Sequence, residues 1–181
     1  ELPGQGVSAI GISGDNRYVL TGSTDGSVKA WRVESGRAEK TFLGHDWPVS
    51  AVAFSPDGKY IAFSGKSGSK DAVNIVNVKT GEYEQLDMRL EGIYTLAWDP
   101  TGDRLAFVGN TASQSDIWTY DIQSKTLTNR TEDLFTDGDP SWSADGRYIY
   151  FTSDRQDYIV NDMVPEDFDI YKHPIGSTDL Y

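Results

Sequence analysis

The sequence predicts an all-β fold, a β-propeller built of four-stranded antiparallel blades, and three observations support this prediction. One phrase occurs four times, as SGDNRYVL from Ser13, SPDGKYIA from Ser55, DPTGDRLA from Asp99 and SADGRYIY from Ser143. The four copies start 42, 44 and 44 residues apart. In each copy a polar turn precedes a short run of aromatic and aliphatic residues. A period in the forties with this pattern is typical of propeller blades.

Each repeat resolves into four short strands, a to d, with strand a innermost. Small and large residues alternate in strand a, and strand d is more polar, as suits an outer edge. No helix longer than a turn is expected. The predicted strands are 7–12, 18–23, 28–33 and 38–43; 49–54, 60–65, 73–78 and 82–87; 93–98, 104–109, 116–122 and 126–131; and 138–142, 148–153 and 169–175. The blades are therefore predicted at 7–48, 49–92, 93–136 and 137–181, in one domain over 1–181.

The two ends of the chain fall within one outer strand of this scheme. Residues 1–4, ELPG, are expected to complete the last strand that the terminal GSTDLY begins. This placement of the two ends predicts either a closed ring of four blades or a part of a ring of six to eight blades. An incomplete ring would expose apolar blade faces, which predicts self-association that completes the ring.

Composition excludes several classes of partner. The net charge of −12 opposes binding to nucleic acid, because contacts with phosphates need clustered Lys and Arg. No apolar stretch approaches the ~20 residues that cross a bilayer, so membrane insertion is not expected. The chain has no cysteine, which excludes disulfides and suits cytoplasm and periplasm alike.

The first two blades resemble WD repeats, through STDGSVKAW at 23–31 and GHDWPVSAVAFSPDGKYIAFSG at 44–65. In that family a His, a Ser or Thr, an Asp and a Trp form a hydrogen-bonded tetrad that links strands. His45, Ser64 and Asp71 match the first three positions in blade 2, and Val76 stands at the position of the Trp. The resemblance thus implies the fold and a hydrogen-bonding structural role for His45.

The last two blades resemble the TolB-type propeller repeat, through SDIWTYDIQSKTLTNRTEDLFTDGDPSWSADGRYIYFTSDR at 115–155. Propellers of this type also occur as non-catalytic parts of tricorn-like and prolyl-oligopeptidase-like peptidases. The resemblance implies a non-catalytic propeller and favours a periplasmic location. Because one fold serves many functions, the resemblance alone does not define the function.

The sequence predicts a non-catalytic scaffold that binds a protein or peptide. It contains no G-x-S-x-G or H-E-x-x-H motif, and it has two histidines. The d to a and b to c connections of a propeller lie on one face, here called the loop face, which includes the long connection 154–168. Exposed aromatic residues among charges on such loops favour recognition. The candidate partner-binding residues are His45, Asp46, Trp47, Glu91, Tyr94, Asp137, Asp139, Arg155 and Tyr158.

Three alternatives stay open at this point. The chain could be the accessory, substrate-gating propeller of a serine peptidase whose catalytic domain lies outside it. A glycan hydrolase would need paired carboxylates at the axis, where Asp139 alone is placed. Calcium is a possible cofactor, because hard cations bind closely spaced carboxylates. The candidate calcium ligands are Asp154, Asp157, Asp162, Asp167 and Asp169.

Overall fold

A computed structural model describes residues 6–43, 48–67, 70–111, 114–154 and 169–174. The strands of the first two blades are Val7–Ile12 (β1), Tyr18–Ser23 (β2), Ser27–Arg32 (β3), Arg37–Leu43 (β4), Val49–Phe54 (β5), Tyr60–Ser67 (β6), Lys70–Asn77 (β7) and Tyr83–Leu90 (β8). The strands of the other two are Gly92–Trp98 (β9), Arg104–Asn110 (β10), Ser115–Asp121 (β11), Thr126–Asn129 (β12), Asp137–Trp142 (β13), Tyr148–Ser153 (β14) and Asp169–Pro174 (β15).

The strands form separate antiparallel sheets in which neighbours in sequence are neighbours in space. The orders are β1-β2-β3-β4, β5-β6-β7-β8, β9-β10-β11-β12 and, within the described part of the last blade, β13-β14-β15. No helix occurs in the described ranges. The predicted all-β propeller of antiparallel blades is confirmed. The extent of the domain and the closure of the ring stay predictions, since 1–5 and 175–181 lie outside the described residues.

The repeated phrase forms the turn between strands a and b. In the first blade the Ser13 hydroxyl donates to Asp15 Oδ1 at 2.6 Å and accepts the Tyr18 N–H at 2.9 Å. Asp15 Oδ1 also accepts the Arg17 N–H at 2.9 Å. The same bonds recur around Ser55 and around Ser143. A Ser and an Asp two residues apart therefore replace the backbone bonds that a tight turn would leave unmade.

The third blade makes this turn with a different anchor. Asp99 replaces the serine, and its Oδ1 accepts the N–H groups of Asp103 and Arg104, both at 3.0 Å. Its Oδ2 accepts the Thr101 hydroxyl at 2.8 Å. The Asp99 side chain is fully buried and forms a salt bridge with the Arg104 guanidinium at 2.9 Å. A buried carboxylate is thus fully supplied with donors, as its desolvation requires.

Among the described residues the core forms three clusters, each at the junction of two successive blades. We call the junctions first, second and third in chain order. The residue eight positions after the anchor is a fully buried phenylalanine in three blades, namely Phe63, Phe107 and Phe151. The first blade has Thr21 at this position, and its hydroxyl accepts the indole N–H of Trp31 at 2.8 Å. The same layer is therefore filled by a benzyl group or by a bonded Trp–Thr pair.

Strand β1 presents an uncovered apolar surface. Val7, Ile10 and Ile12 are 67%, 67% and 61% exposed. The equivalent residues of β5, Val49 and Val52, are 1% and 8% exposed, and β5 packs against β1, so the preceding blade covers in β5 the apolar residues that β1 leaves exposed. Scattered exposed apolar residues are common, but three on one strand form a patch of the kind that another blade covers.

No helix long and apolar enough to cross a membrane is found in the part of the chain that the structure describes.

Candidate functional site

A cleft of about 430 Å³ opens at the third junction, on the loop face. Its walls come from the inner strands β9 and β13, from the ends of β10, β11 and β14, and from the connection that precedes β13. It is lined by Tyr94, Thr95, Val108, Asn110, Ser115, Thr136, Asp137, Gly138, Asp139 and Thr152. Most of these side chains carry a hydroxyl, amide or carboxylate, so the cleft is suited to polar recognition.

Two backbone irregularities shape this cleft. Thr95 and Asp139 occupy equivalent positions, and both adopt left-handed backbone conformations, with φ of 50° and 48°. The strand pairing is interrupted at both places, between Phe107 and Val108 and between Gly138 and Ser141. A bulge of this type redirects side chains and is common beside functional sites. A β-branched residue such as Thr95 rarely adopts positive φ, which marks a strained position.

Hydrogen bonds fix the walls of the cleft. The Ser115 hydroxyl of β11 donates to the backbone carbonyl of Asp137 at 2.8 Å and so connects the third blade to the fourth. The Asp154 carboxylate accepts the Thr136 N–H at 2.7 Å. Asn110 Oδ1 is buried and accepts no hydrogen bond from a described protein group. The cleft is therefore rigid at its rim and keeps one acceptor unused.

Three of the predicted partner-binding residues line this cleft. Tyr94 is 50% exposed, and Asp139 is also exposed. Asp137 is 1% exposed, so its carboxylate is not presented on the surface. Glu91 is exposed between β8 and β9 but does not line the cleft. The remaining predicted residues, His45, Asp46, Trp47, Arg155 and Tyr158, lie outside the described residues.

The alternative of a glycan hydrolase has little support at the cleft. A glycoside hydrolase needs two carboxyl groups that both reach the substrate. Among the lining residues the carboxylates are Asp137 and Asp139, and the first is buried.

The calcium prediction is tested only in part. Asp154 is described, and its carboxylate accepts the backbone bond named above. Asp169 is described only by its backbone pairing with Ser153. Asp157, Asp162 and Asp167 lie outside the described ranges, and no group of three or more His, Asp or Glu with metal-binding geometry occurs within them.

Residues that resemble the WD tetrad connect blades. Asp71 Oδ2 accepts the Ile93 N–H at 2.9 Å, and the Ser64 hydroxyl donates to the Ile93 carbonyl at 3.3 Å. Both side chains are buried. In the first blade the hydroxyl of Ser8, which lies in the inner strand β1, donates to the carbonyl at the equivalent position, that of Val49, at 2.7 Å. A hydroxyl of each of the first three blades therefore bonds to the same carbonyl position of the next blade, which gives these residues a structural role.

The sequence analysis did not identify Thr95, Asn110, Ser115, Thr136 or Thr152 as site residues. One signal could have found the first of them. Thr95 and Asp139 share a position that is alanine in the first two blades, so the third junction differs from the others in polarity. The other four residues come together because the ends of several strands meet at the cleft, and no pattern in the sequence predicts which strand ends meet.

The all-β fold of antiparallel blades defines a β-propeller. The TolB beta propeller domain family (PD40) matches residues 18–159, and the WD domain, G-beta repeat family matches residues 1–32. The chain belongs to the TolB β-propeller family. The predicted resemblance to both repeat types is confirmed. These families are generally non-catalytic scaffolds.

Individual relatives agree with this family. The WD repeat-containing protein SL1-17 of Schistosoma mansoni is 30% identical over 168 residues, which are 87% of this chain and 51% of that protein. THO complex subunit 3 of Arabidopsis thaliana is 33% identical over 107 residues, 58% of this chain and 32% of that protein. The chain thus spans between a third and a half of these relatives.

Solved structures show the same fold. The structure of a putative TolB from Agrobacterium tumefaciens superposes with a TM-score of 0.78 at 24% identity. The match covers 97% of this chain and 61% of that one. At this identity the likeness shows the fold alone. The accessory role in a peptidase is not tested by these comparisons and stays a prediction.

Proposed function

We propose that this propeller is a non-catalytic scaffold that binds a protein or peptide through the cleft at the third junction. The observation that supports the proposal best is the pair of exposed side chains, Tyr94 and Asp139, at the mouth of a cleft with bonded walls. An exposed tyrosine provides a large amphipathic contact at low entropic cost, which makes tyrosine common at interaction hot spots. Asp139 would pair with a basic or hydroxyl group of the partner.

The comparisons support this proposal at a coarser level. THO complex subunit 3 is by its name a component of an assembly. We propose both the class of partner and the use of the loop face for this chain.

A photo-crosslinking experiment tests the proposed surface. A benzoylphenylalanine introduced at position 94 would be irradiated in extracts of the source organism, and the crosslinked partner would be identified by mass spectrometry. Binding of the purified partner is then measured for Tyr94→Ala and Asp139→Asn. We expect the dissociation constant to rise about tenfold or more for Tyr94→Ala, as for a hot-spot residue.

Tyr83 provides the matched control. It is 49% exposed, close to the 50% of Tyr94, but it begins β8 on the opposite side of the propeller. Tyr83→Ala is expected to change the dissociation constant less than about twofold, because it removes equal area away from the interface. Equal losses for the two variants, or full binding by Tyr94→Ala, would contradict the proposal.

A further inference from the structure

A second groove, of about 360 Å³, opens at the first junction on the face opposite the loop face. We call this the turn face, because it carries the turns between strands a and b and between c and d. Apolar side chains, among them Phe54 and Ile61, form much of the groove. Asp15 and Tyr18 of the first blade and Gly58 of the second also line it.

The repeats allow the same place to be compared at all three junctions. The relevant residues are the fifth after one anchor and the residue just before the next anchor. At the third junction these are Arg104 and Trp142, and the guanidinium carbon lies 4.7 Å from the indole centroid. At the second junction they are Tyr60 and Trp98, whose rings stack with centroids 6.1 Å apart. Side chains of the protein therefore fill both of these positions.

The first junction has no such filling. Its equivalent residues are Tyr18 and Phe54, and Tyr18 interacts within its own blade instead. The guanidinium carbon of Arg32 lies 5.3 Å from the Tyr18 centroid, and Arg32 Nη2 donates to the tyrosine hydroxyl at 3.0 Å. Within the described ranges, no ring or guanidinium stacks on Phe54.

The glycine three positions after the anchor shows the same difference. At the third junction Arg104 Nη2 donates to the Gly146 carbonyl at 2.9 Å, and a Cβ built on Gly146 would lie 3.1 Å from that nitrogen. At the first junction the equivalent glycine is Gly58, and a Cβ built there would meet nothing within 4 Å. The space that Arg104 occupies at the third junction is therefore open at the first.

The lining of the first groove carries charges of both signs, and two of its three carboxylates are paired within the protein. Its lining holds three carboxylates, Asp15, Glu39 and Asp57, and one ammonium, Lys40. Glu39 pairs with Arg32, and Asp57 pairs with Lys59 at 2.7 Å. Lys40 Nζ donates to the Val78 carbonyl at 2.6 Å.

Asp15 is the carboxylate that remains available. It forms no salt bridge with a described residue. The hydrogen bond from the Ser13 hydroxyl lowers the pKa of Asp15 below its ordinary value, so this carboxylate is ionised at neutral pH.

We propose that the groove at the first junction binds an arginine side chain of a partner protein. The guanidinium would stack on Phe54 as Arg104 stacks on Trp142, and it would donate to the Gly58 carbonyl and to Asp15. Arginine fits because a planar guanidinium combines stacking on a ring with several directed N–H donors, which an ammonium does not. This site lies on the turn face and does not depend on the proposed function of the loop face.

Nuclear magnetic resonance of the ¹⁵N-labelled protein tests the proposal with three capped tripeptides. The probes are acetyl-Gly-Arg-Gly-amide and its lysine and citrulline counterparts, citrulline being a neutral isostere of arginine. We expect the arginine peptide to shift the amide signals of residues 13–18 and 54–58, with a dissociation constant on the order of 1 mM. The citrulline and lysine peptides should bind at least about tenfold more weakly than the arginine peptide. Equal shifts from all three peptides, or none near these residues, would overturn the proposal.

Variants separate a specific site from weak surface binding. Tyr18→Arg places an internal guanidinium where the groove is open, so it should abolish the shifts caused by the arginine peptide. Asp15→Asn removes one charge at an exposed position and should weaken binding several-fold without affecting folding. Tyr150→Ala, at a tyrosine of β14 in the fourth blade that is 39% exposed, should leave the shifts unchanged. Retained binding by both Tyr18→Arg and Asp15→Asn would also overturn the proposal.

Discussion

Arg104 is predicted to stabilise the third junction far more than a similar arginine, Arg147, stabilises its own blade. Both residues follow an a to b turn, and both pair with an aspartate of that turn. Arg104 pairs with the buried Asp99 and is 25% exposed. Arg147 pairs with Asp145, and the two side chains are 74% and 45% exposed. The comparison therefore isolates burial and contact between blades from the chemistry of the pair.

The expected magnitude for Arg104→Met follows from the bonds that are lost. The variant loses the stacking on Trp142, about 1 kcal/mol for a partly desolvated cation over a ring. It loses the bond to the Gly146 carbonyl, about 1 kcal/mol. It also removes two guanidinium donors from Asp99, about 1 kcal/mol after allowance for partial exposure. Methionine keeps the apolar stem, so we expect a loss of about 3 kcal/mol.

Arg147→Met should leave the free energy of unfolding almost unchanged, because exposed ion pairs contribute little. Its guanidinium carbon also lies 5.8 Å from the centroid of the Tyr148 ring, so both arginines pair with an aspartate and lie near a ring, and Arg104 adds the bond to the Gly146 carbonyl of the next blade. Equilibrium unfolding in urea measures both variants, and an unchanged slope would indicate an unchanged exposed surface. Equal losses for the two variants would refute the reasoning, since burial would then not decide the contribution.

The dependence of the free energy of unfolding on pH in acid provides a second test of the same bonds. Burial of Asp99 opposes its ionisation, but hydrogen bonds from the Arg104 N–H, the Thr101 hydroxyl and the guanidinium outweigh burial and lower the pKa. A lowered pKa contributes stability above the pKa of the unfolded chain, and this contribution is lost as pH falls through the folded value. The difference between wild type and Arg104→Met should therefore shrink in acid. A difference that grows as pH falls would contradict this account.

Two further predictions concern burial. Burial, reinforced by the charges of neighbouring acids, raises the pKa of Asp116 despite its bond from Asn129, so ionisation costs stability as pH rises through the folded pKa. Asp116→Asn should thus raise the urea midpoint above that of the wild type at pH 7, and should raise it less at pH 4. A midpoint below that of the wild type at pH 7 would refute this. Gly22→Ala should cost about 1–3 kcal/mol, because its Cβ would lie 2.5 Å from Val49 Cγ1. The control Gly6→Ala meets only an atom at 4.0 Å and should change the midpoint little.

The strands were predictable because local chemistry determines them. Ser13 and Asp15, two residues apart, supply the bonds of the a to b turn in the first blade, and the same pair recurs in the second and fourth blades. Differences between junctions were not predictable in this way. Whether Arg104 stacks on Trp142 depends on how two blades meet, because the two residues are 38 positions apart, and no local pattern records it.

The site was predictable only in part, and Asp137 illustrates why. It was expected on the surface because it belongs to an acidic loop. It begins β13 at the position that Val49 and Ile93 occupy in other blades, and those residues are also buried. The bulge at Asp139 then interrupts the alternation of inward and outward residues, so neighbours two positions apart differ in exposure.

The uncovered apolar residues of β1 have a consequence for cooperativity. Among the described strands, extensive packing joins each blade only to its immediate neighbours in sequence, as in a linear repeat array. In such an array the free energy of unfolding is approximately a sum over units and nearest-neighbour interfaces. A unit with one interface is held by half as many couplings as an internal unit. In a chain whose ring is open, the first blade, with Val7, Ile10 and Ile12 exposed, is therefore expected to exchange its amide hydrogens sooner than the blades in the middle of the array.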